Sequence, residues 1–324
     1  MRKIKLGNRS EFPAFFDMAA RFKPPEAHWY GTGFRIGDRA AAYVYLKWWR
    51  LSNPRRRLIV IEDNWIQGTE HSRWLTASWM FAGIADEVWE LERNEAVSRP
   101  NAEALYTKTL WAFWKSFMQT SRLTPDIKPM DAALLRAELV LRDLGIPSNF
   151  ISVQPLFDAG YDKHRNQTAR WWQNVANQLA SRAPVLVLGL SSNYGKLTLS
   201  PQCHPAIRYG LDPMVSLALI SKAALHVGGA TGTTLWAPIF RVPTIAVYKN
   251  WSAVGQTDIR PISFGKPVVY SPLSDTEPST VTRIVLTYQR ITKEKAHESN
   301  GDDSRVVGES RASDQRGKLA SVPK

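Results

Sequence analysis

LHVGGATGTTLWAPIFRVPTIAVY, residues 225–248, reads as a strand, a glycine-lined turn, a short helix and a second strand. LHVGG reads as a strand end and PTIAVY (243–248) as a strand. TGTTLWAPIF lies between them and opens a helix on threonines, which cap helix N-termini well. Strand, helix and strand in so short a span belong to an α/β fold with a parallel sheet. Two readings of the turn stay open. Backbone N–H groups, the helix dipole and the hydroxyls of Thr231, Thr233 and Thr234 beside Gly232 suit an anion such as a phosphate. The same residues would also serve as a tight turn with threonine caps.

The pattern repeats upstream. FISVQP (150–155) reads as a strand, QTARWWQNVANQLAS (167–181) as a helix, PVLVLGL (184–190) as a strand and MVSLALISKA (214–223) as a helix. The loop FDAGYDKHRNQ joins the first strand to its helix, so Lys163 and Arg165 are placed at a strand end, where they suit a diphosphate. A solvated basic loop is the alternative. The turn in VLGLSSNYGK (187–196) is of the kind that holds a nucleoside, with Gly189, Ser191 and Ser192 as its candidate contacts. Downstream, VTRIVLTYQR (281–290) is the last expected helix, and the polar stretch 293–324 is expected to be a disordered tail.

The N-terminal half gives a second α/β pattern. WYGTGFRIGDRAAAYVYLKWW (29–49) leads into a helix with Asp38 at an expected N-cap. RLIVIED (57–63) is a strand, 72–82 a helix, DEVWEL (86–91) a strand and 102–118 a helix. The glycines Gly31, Gly33 and Gly37 are spaced G-x-G-x-x-x-G, which is not the dinucleotide fingerprint, and no P-loop Lys-Ser/Thr follows. EFPAFFDMAARF (11–22) reads as an amphipathic helix, packed on the body or lying on a membrane surface. The expected organisation is an N-terminal amphipathic segment (1–28), an α/β domain (29–124), a connection (125–149), a second α/β domain (150–292) and the tail (293–324).

Bulk composition bounds the partners. Of the 324 residues 44% are hydrophobic, a globular value, and the single cysteine, Cys203, excludes an intramolecular disulfide or a cysteine zinc cluster. No signal-type apolar run follows the first residues, and nothing approaches the ~18 apolar residues of a membrane span, so a soluble, cytoplasmic protein is expected. The formal net charge is +13, and 293–324 contributes almost none of it. Such a body suits anionic partners: phosphorylated substrates, an anionic membrane surface touched peripherally, or nucleic acid. Nucleic acid is the least supported, because no RRM-type aromatic signature appears. G-x-S-x-G is absent, as is any histidine spacing for a metal, and Asp302 and Asp303 lie in the polar stretch.

Taken together, these stretches resemble the two-domain GT-B glycosyltransferases, most closely the heptosyltransferase-like glycosyltransferase family 9. Gly37-Asp38 with SNPRRRLIVIED, then Asp162-Lys163-His164 before the Trp171-Trp172 helix, then Thr231-Gly232 within 228–248, follow the family's order over about 29–290. The resemblance implies two Rossmann-like α/β domains facing across a cleft. It implies transfer of a sugar from a nucleotide diphosphate sugar to an acceptor hydroxyl of a glycan or glycolipid, without cofactor or metal. Asp38 is then the base, Gly33, Arg35 and Gly37 the acceptor-side loop, and Lys163, Arg165 and 231–234 the donor-phosphate contacts. Three departures stand out. Ala230 replaces the family's aspartate, Leu235 its frequent histidine, and LGLSSNYG lacks a glutamate. Donor identity is therefore not carried over. A sugar-nucleotide epimerase on the same fold, a basic binding protein or an inactive homologue are the alternatives.

Overall fold

The computed structural model describes residues 2–5, 26–31, 36–63, 77–81, 83–91, 102–105, 127–155, 167–189, 195–209, 211–229, 231–248, 268–272 and 277–309. The described residues build two sheets. The first contains β1 (Arg2–Lys5), β2 (Glu26–Gly31), β3 (Arg57–Asp63), β4 (Glu87–Leu91) and β5 (Ala102–Leu105), in the order β1-β4-β3-β2-β5. β2 to β5 run parallel, and β1 closes the edge antiparallel to β4. Helix α1 (Ile36–Ser52) follows β2, and the short α2 (Ala77–Phe81) precedes β4.

The second sheet is wholly parallel. Its strands are β6 (Ile151–Gln154), β7 (Val185–Val187), β8 (Cys203–His204), β9 (Leu225–Gly229), β10 (Thr244–Tyr248) and β11 (Val268–Pro272). Its spatial order is β11-β10-β9-β6-β7-β8. Counted from β6, that is the doubly wound 3-2-1-4-5-6 arrangement of dinucleotide-type folds. The helices are α3 (Asp131–Asp143), α4 (Ala169–Ala180), α5 (Pro213–Lys222), α6 (Gly232–Ile239) and α7 (Glu277–Glu309), with a 3-10 turn at Ala206–Tyr209.

Strand alternation sorts these helices into layers. Ile151, Val153, Val185, Val187, Val227, Ile245 and Val247 point to one face, where Trp171 and Trp172 of α4 and Val281 and Ile284 of α7 cover them. Leu186, Leu188 and Ala246 point to the other, against α3, α5 and α6. That second cluster runs on without a break into α1 and the first sheet. α1 packs on α6, and Trp236 is its keystone: it is fully buried, with ring centroids 6.1 Å from Tyr43, 5.9 Å from Trp79 and 5.6 Å from Phe240. Burial on several sides explains why α1 holds so many aromatics. Its C-terminal Arg50 forks onto Asp86, with both N–H···O bonds at 3.2 Å, and Asp86 also accepts from the Leu58 amide.

Several local expectations change. The span 102–118 was expected as a helix, yet Ala102–Leu105 is a strand paired with β2, a case of sheet pairing overriding the helix propensity of Ala-Glu-Ala-Leu. The segment before the glycine loop is a strand, β2, beginning at Glu26. Its charged residues mask the pattern because Glu26 and His28 bond to each other and Glu26 also meets Arg57, which in turn reaches Glu87. Arg2–Lys5, expected to belong to an amphipathic N-terminal segment, is an edge strand. Asp38 was expected as N-cap, but α1 begins at Ile36 and so carries Asp38 inside its first turn, where the macrodipole still favours a carboxylate. The expected tail from 293 is helical to Glu309. A helix propagates cheaply once nucleated, and Arg290 lies 3.9 Å from Glu294 one turn on. The segments 11–22, 106–126 and 310–324 lie outside the described residues.

Candidate functional site

In an open parallel sheet, ligands gather at the carboxyl ends of the strands where the winding reverses. The second sheet reverses between β6 and β9, with Gln154 in register with Gly228. The turn that leaves β9 there leads into α6. Thr231 caps α6, its backbone extended (φ −106°, ψ 160°) and its hydroxyl oxygen accepting from the Thr234 amide at 3.3 Å. The Thr231 amide donates to Gly229 O at 2.7 Å, which tightens the turn.

The three threonines form one cluster. Thr231 Oγ1 lies 2.8 Å from Thr233 Oγ1 and 3.0 Å from Thr234 Oγ1, and Thr234 donates to Gly229 O at 2.8 Å. Thr233 and Thr234 are buried, whereas Thr231 and Gly232 are half-exposed and face the end of the helix. The first N–H groups of any helix lack intrahelical acceptors, so Gly232 and Thr233 point donors the same way. The helix start thus offers amide N–H groups, the positive dipole end and the part-exposed Thr231 hydroxyl, features that suit an anion.

Below the cluster lies His226, which the sequence reading passed over. It is fully buried on β9, with Nδ1 2.9 Å from Ser152 Oγ on β6 and Nε2 3.4 Å from Thr234 Oγ1. Burial lowers its pKa from 6.5 to about 3, so the imidazole is neutral. Gly228 is obligatory beside it: a Cβ there would overlap Thr234 Oγ1 and come within 2.8 Å of His226 Nε2. Gln154 Oε1, at the end of β6, is buried with no hydrogen-bond partner among the described residues.

The other expected contacts divide as follows. Gly189 leaves β7 on the same sheet edge with φ 141°, a conformation that favours glycine, and its Cβ position lies 3.1 Å from Ile207 Cδ1. Gly37 and Asp38 sit in the first turn of α1, after β2, the strand at which the first sheet also reverses. The helices bearing Asp38 and Thr231 therefore each follow a switch-point strand and pack on one another. Gly33, Arg35, Lys163, Arg165, Ser191, Ser192 and Ala230 lie outside the described residues. Among the described residues no group of three His, Cys, Asp or Glu side chains could hold a metal, and no helix is long and apolar enough to cross a membrane.

No protein-family model matches the chain, and no curated protein does. Solved structures do. The glycosyl transferase family 9 protein from Veillonella parvula DSM 2008 matches with a TM-score of 0.51 at 11% identity, over 84% of this chain and 96% of that one. E. coli ADP-heptose lps heptosyltransferase II is similar with a TM-score of 0.49 at 12% identity, over 82% and 99%. E. coli heptosyltransferase WaaC with ADP follows with a TM-score of 0.46 at 12% identity, over 82% and 98%. With its mainly parallel first sheet, its second sheet in 3-2-1-4-5-6 order and the first of these matches, the chain shares the α/β fold of that glycosyl transferase family 9 protein.

Proposed function

We propose that this protein is a glycosyltransferase that moves a sugar from a nucleotide diphosphate donor to a hydroxyl of a glycan or glycolipid acceptor. The observation that carries the reading is the threonine-lined start of α6 at the switch point of the second sheet, in a fold shared with a family 9 glycosyltransferase. In this reading 150–292 is the donor half and 29–124 the acceptor half, facing across a cleft.

Thr231, Gly232, Thr233 and Thr234 hold the diphosphate, with Lys163 and Arg165 supplying positive charge. Gly189, Ser191 and Ser192 line the nucleoside side, and Gly33, Arg35 and Gly37 the acceptor side. As the acceptor oxygen attacks the sugar's anomeric carbon, Asp38 takes its proton. The bond to the diphosphate breaks with its electron pair leaving on phosphate oxygen. Donors already aimed at that oxygen stabilise the charge without reorganising.

The test is nucleoside diphosphate release from ADP-, GDP- and UDP-sugars in the presence of candidate acceptors, run with the full chain and its Asp38→Asn variant. Acceptor-dependent release by the wild type, lost in the variant while donor binding persists, is expected. Retained turnover in Asp38→Asn would remove that residue from the mechanism, and release without acceptor would favour hydrolysis.

A further inference from the structure

A fully buried histidine in a parallel sheet needs a reason, and the hydrogen bonds around His226 supply one. Thr234 gives its hydroxyl proton to Gly229 O, 2.8 Å away, so the face of Thr234 Oγ1 turned toward His226 offers a lone pair. His226 must therefore carry its proton on Nε2. Nδ1 is then an acceptor, and Ser152 Oγ at 2.9 Å is the donor to it. The chain of donors runs in one direction, from Ser152 through His226 to Thr234 and on to Gly229 O. It ties the central strand β6 and the strand β9 to the first turn of α6. Gly228 is bare so that the imidazole and Thr234 can approach each other. Thr244, in register with His226 on β10, does not compete, because its hydroxyl donates to Val242 O at 2.8 Å.

We infer that His226 is a positioning residue for the donor-phosphate site: as the neutral Nε2–H tautomer locked by Ser152, it fixes Thr234 and through it the hydroxyl of Thr231. The inference rests on the glycosyl-transfer reading above and adds to it a residue that never touches substrate. Thr234 is buried and Thr231 part-exposed, so the imidazole acts on the ligand through two hydroxyls, those of Thr234 and Thr231. Loss of its N–H frees Thr234 to turn. The hydroxyl of Thr231 then loses its fixed direction, and the cost falls on diphosphate binding rather than on the chemical step.

The experiment uses the full chain with ADP, GDP and UDP as probes, by titration calorimetry, together with imidazole 15N shifts. In the wild type, Nε2 should be protonated and Nδ1 bare at neutral pH, and both shifts should move as the preferred nucleoside diphosphate saturates the protein. His226→Leu should weaken that nucleotide about 3- to 10-fold, the size of one lost hydrogen bond. His226→Gln, which keeps an N–H toward Thr234, should recover most of it. In turnover the Leu variant should raise the donor KM with little change in kcat.

A protonated Nδ1, imidazole shifts indifferent to nucleotide, or a folded Leu variant that binds as tightly as wild type would each overturn the inference while leaving glycosyl transfer standing. If the Leu variant does not fold, the wild-type shifts alone decide. A wild type that binds none of the probes refutes the functional reading itself, and this inference with it.

Discussion

Lowering the pH from 7.5 to 4.5 is expected to cost this fold about 3 kcal/mol through His226 alone. The imidazole titrates near 6.5 when unfolded, and burial holds it to about 3 in the native protein. Between those values the unfolded chain binds a proton that the native chain refuses, so stability falls as pH falls, and it is fully present only above 6.5. Each pH unit inside the window is worth about 1.4 kcal/mol, and two units separate 6.5 from 4.5. That is a large share of the ~5–15 kcal/mol that holds a typical domain folded. The assay is urea denaturation, followed by the fluorescence of the thirteen tryptophans, at pH 7.5 and 4.5 for wild type and His226→Gln. Carboxylates titrate alike in both proteins and cancel in the comparison. The variant should start lower at pH 7.5, and the gap should narrow by about 3 kcal/mol at pH 4.5. Parallel pH profiles would refute a neutral buried His226.

Gly228→Ala should destabilise by about 3 kcal/mol or more, because its Cβ meets Thr234 and the His226 ring on a sheet with no room to yield, and thermal denaturation would show it. Trp236→Ala should cost about 3–5 kcal/mol in chemical denaturation, since it empties the buried contact between α1 and α6. Thr231→Val keeps the shape of the α6 cap but removes its oxygen. It should cost about 1 kcal/mol of stability and weaken nucleoside diphosphates about 3- to 10-fold in calorimetry, whereas a purely structural cap would lose only the stability.

The parts of this fold that could be read from the sequence are those whose side chains face apolar surroundings on both sides. Continuous runs such as Leu58–Ile61 and Ile245–Val247 mark parallel strands directly, and the Thr231–Thr234 run marks a helix start. Strands bordered by charge were hidden. In β2, Glu26 and His28 look like loop residues until Arg57 is brought beside Glu26 by parallel pairing. Arg2–Lys5 offers a single apolar residue, Ile4, and only its pairing with β4 makes it a strand. At the start of α6 the Thr231 cap was legible because its chemistry is local. His226 was not, because Ser152 lies 74 residues away and only sheet register makes them neighbours. Gln154 was missed for the same reason. Its buried oxygen, without a hydrogen-bond partner among the described residues, is a feature of the assembled sheet edge, with no local signature.

Glycosyl transfer is tested most directly by a thermal-shift titration of the full chain with ADP-, GDP-, UDP- and CMP-sugars, ADP-heptose among them. A donor that occupies the α6 start binds only the native state, so at a hundredfold excess over Kd it should add about 2.7 kcal/mol of stability and raise Tm by a few degrees. One base should stand out over the others, and Thr231→Val should blunt its effect. No stabilisation by any nucleotide sugar, at concentrations up to several millimolar, would contradict a donor site at the switch point.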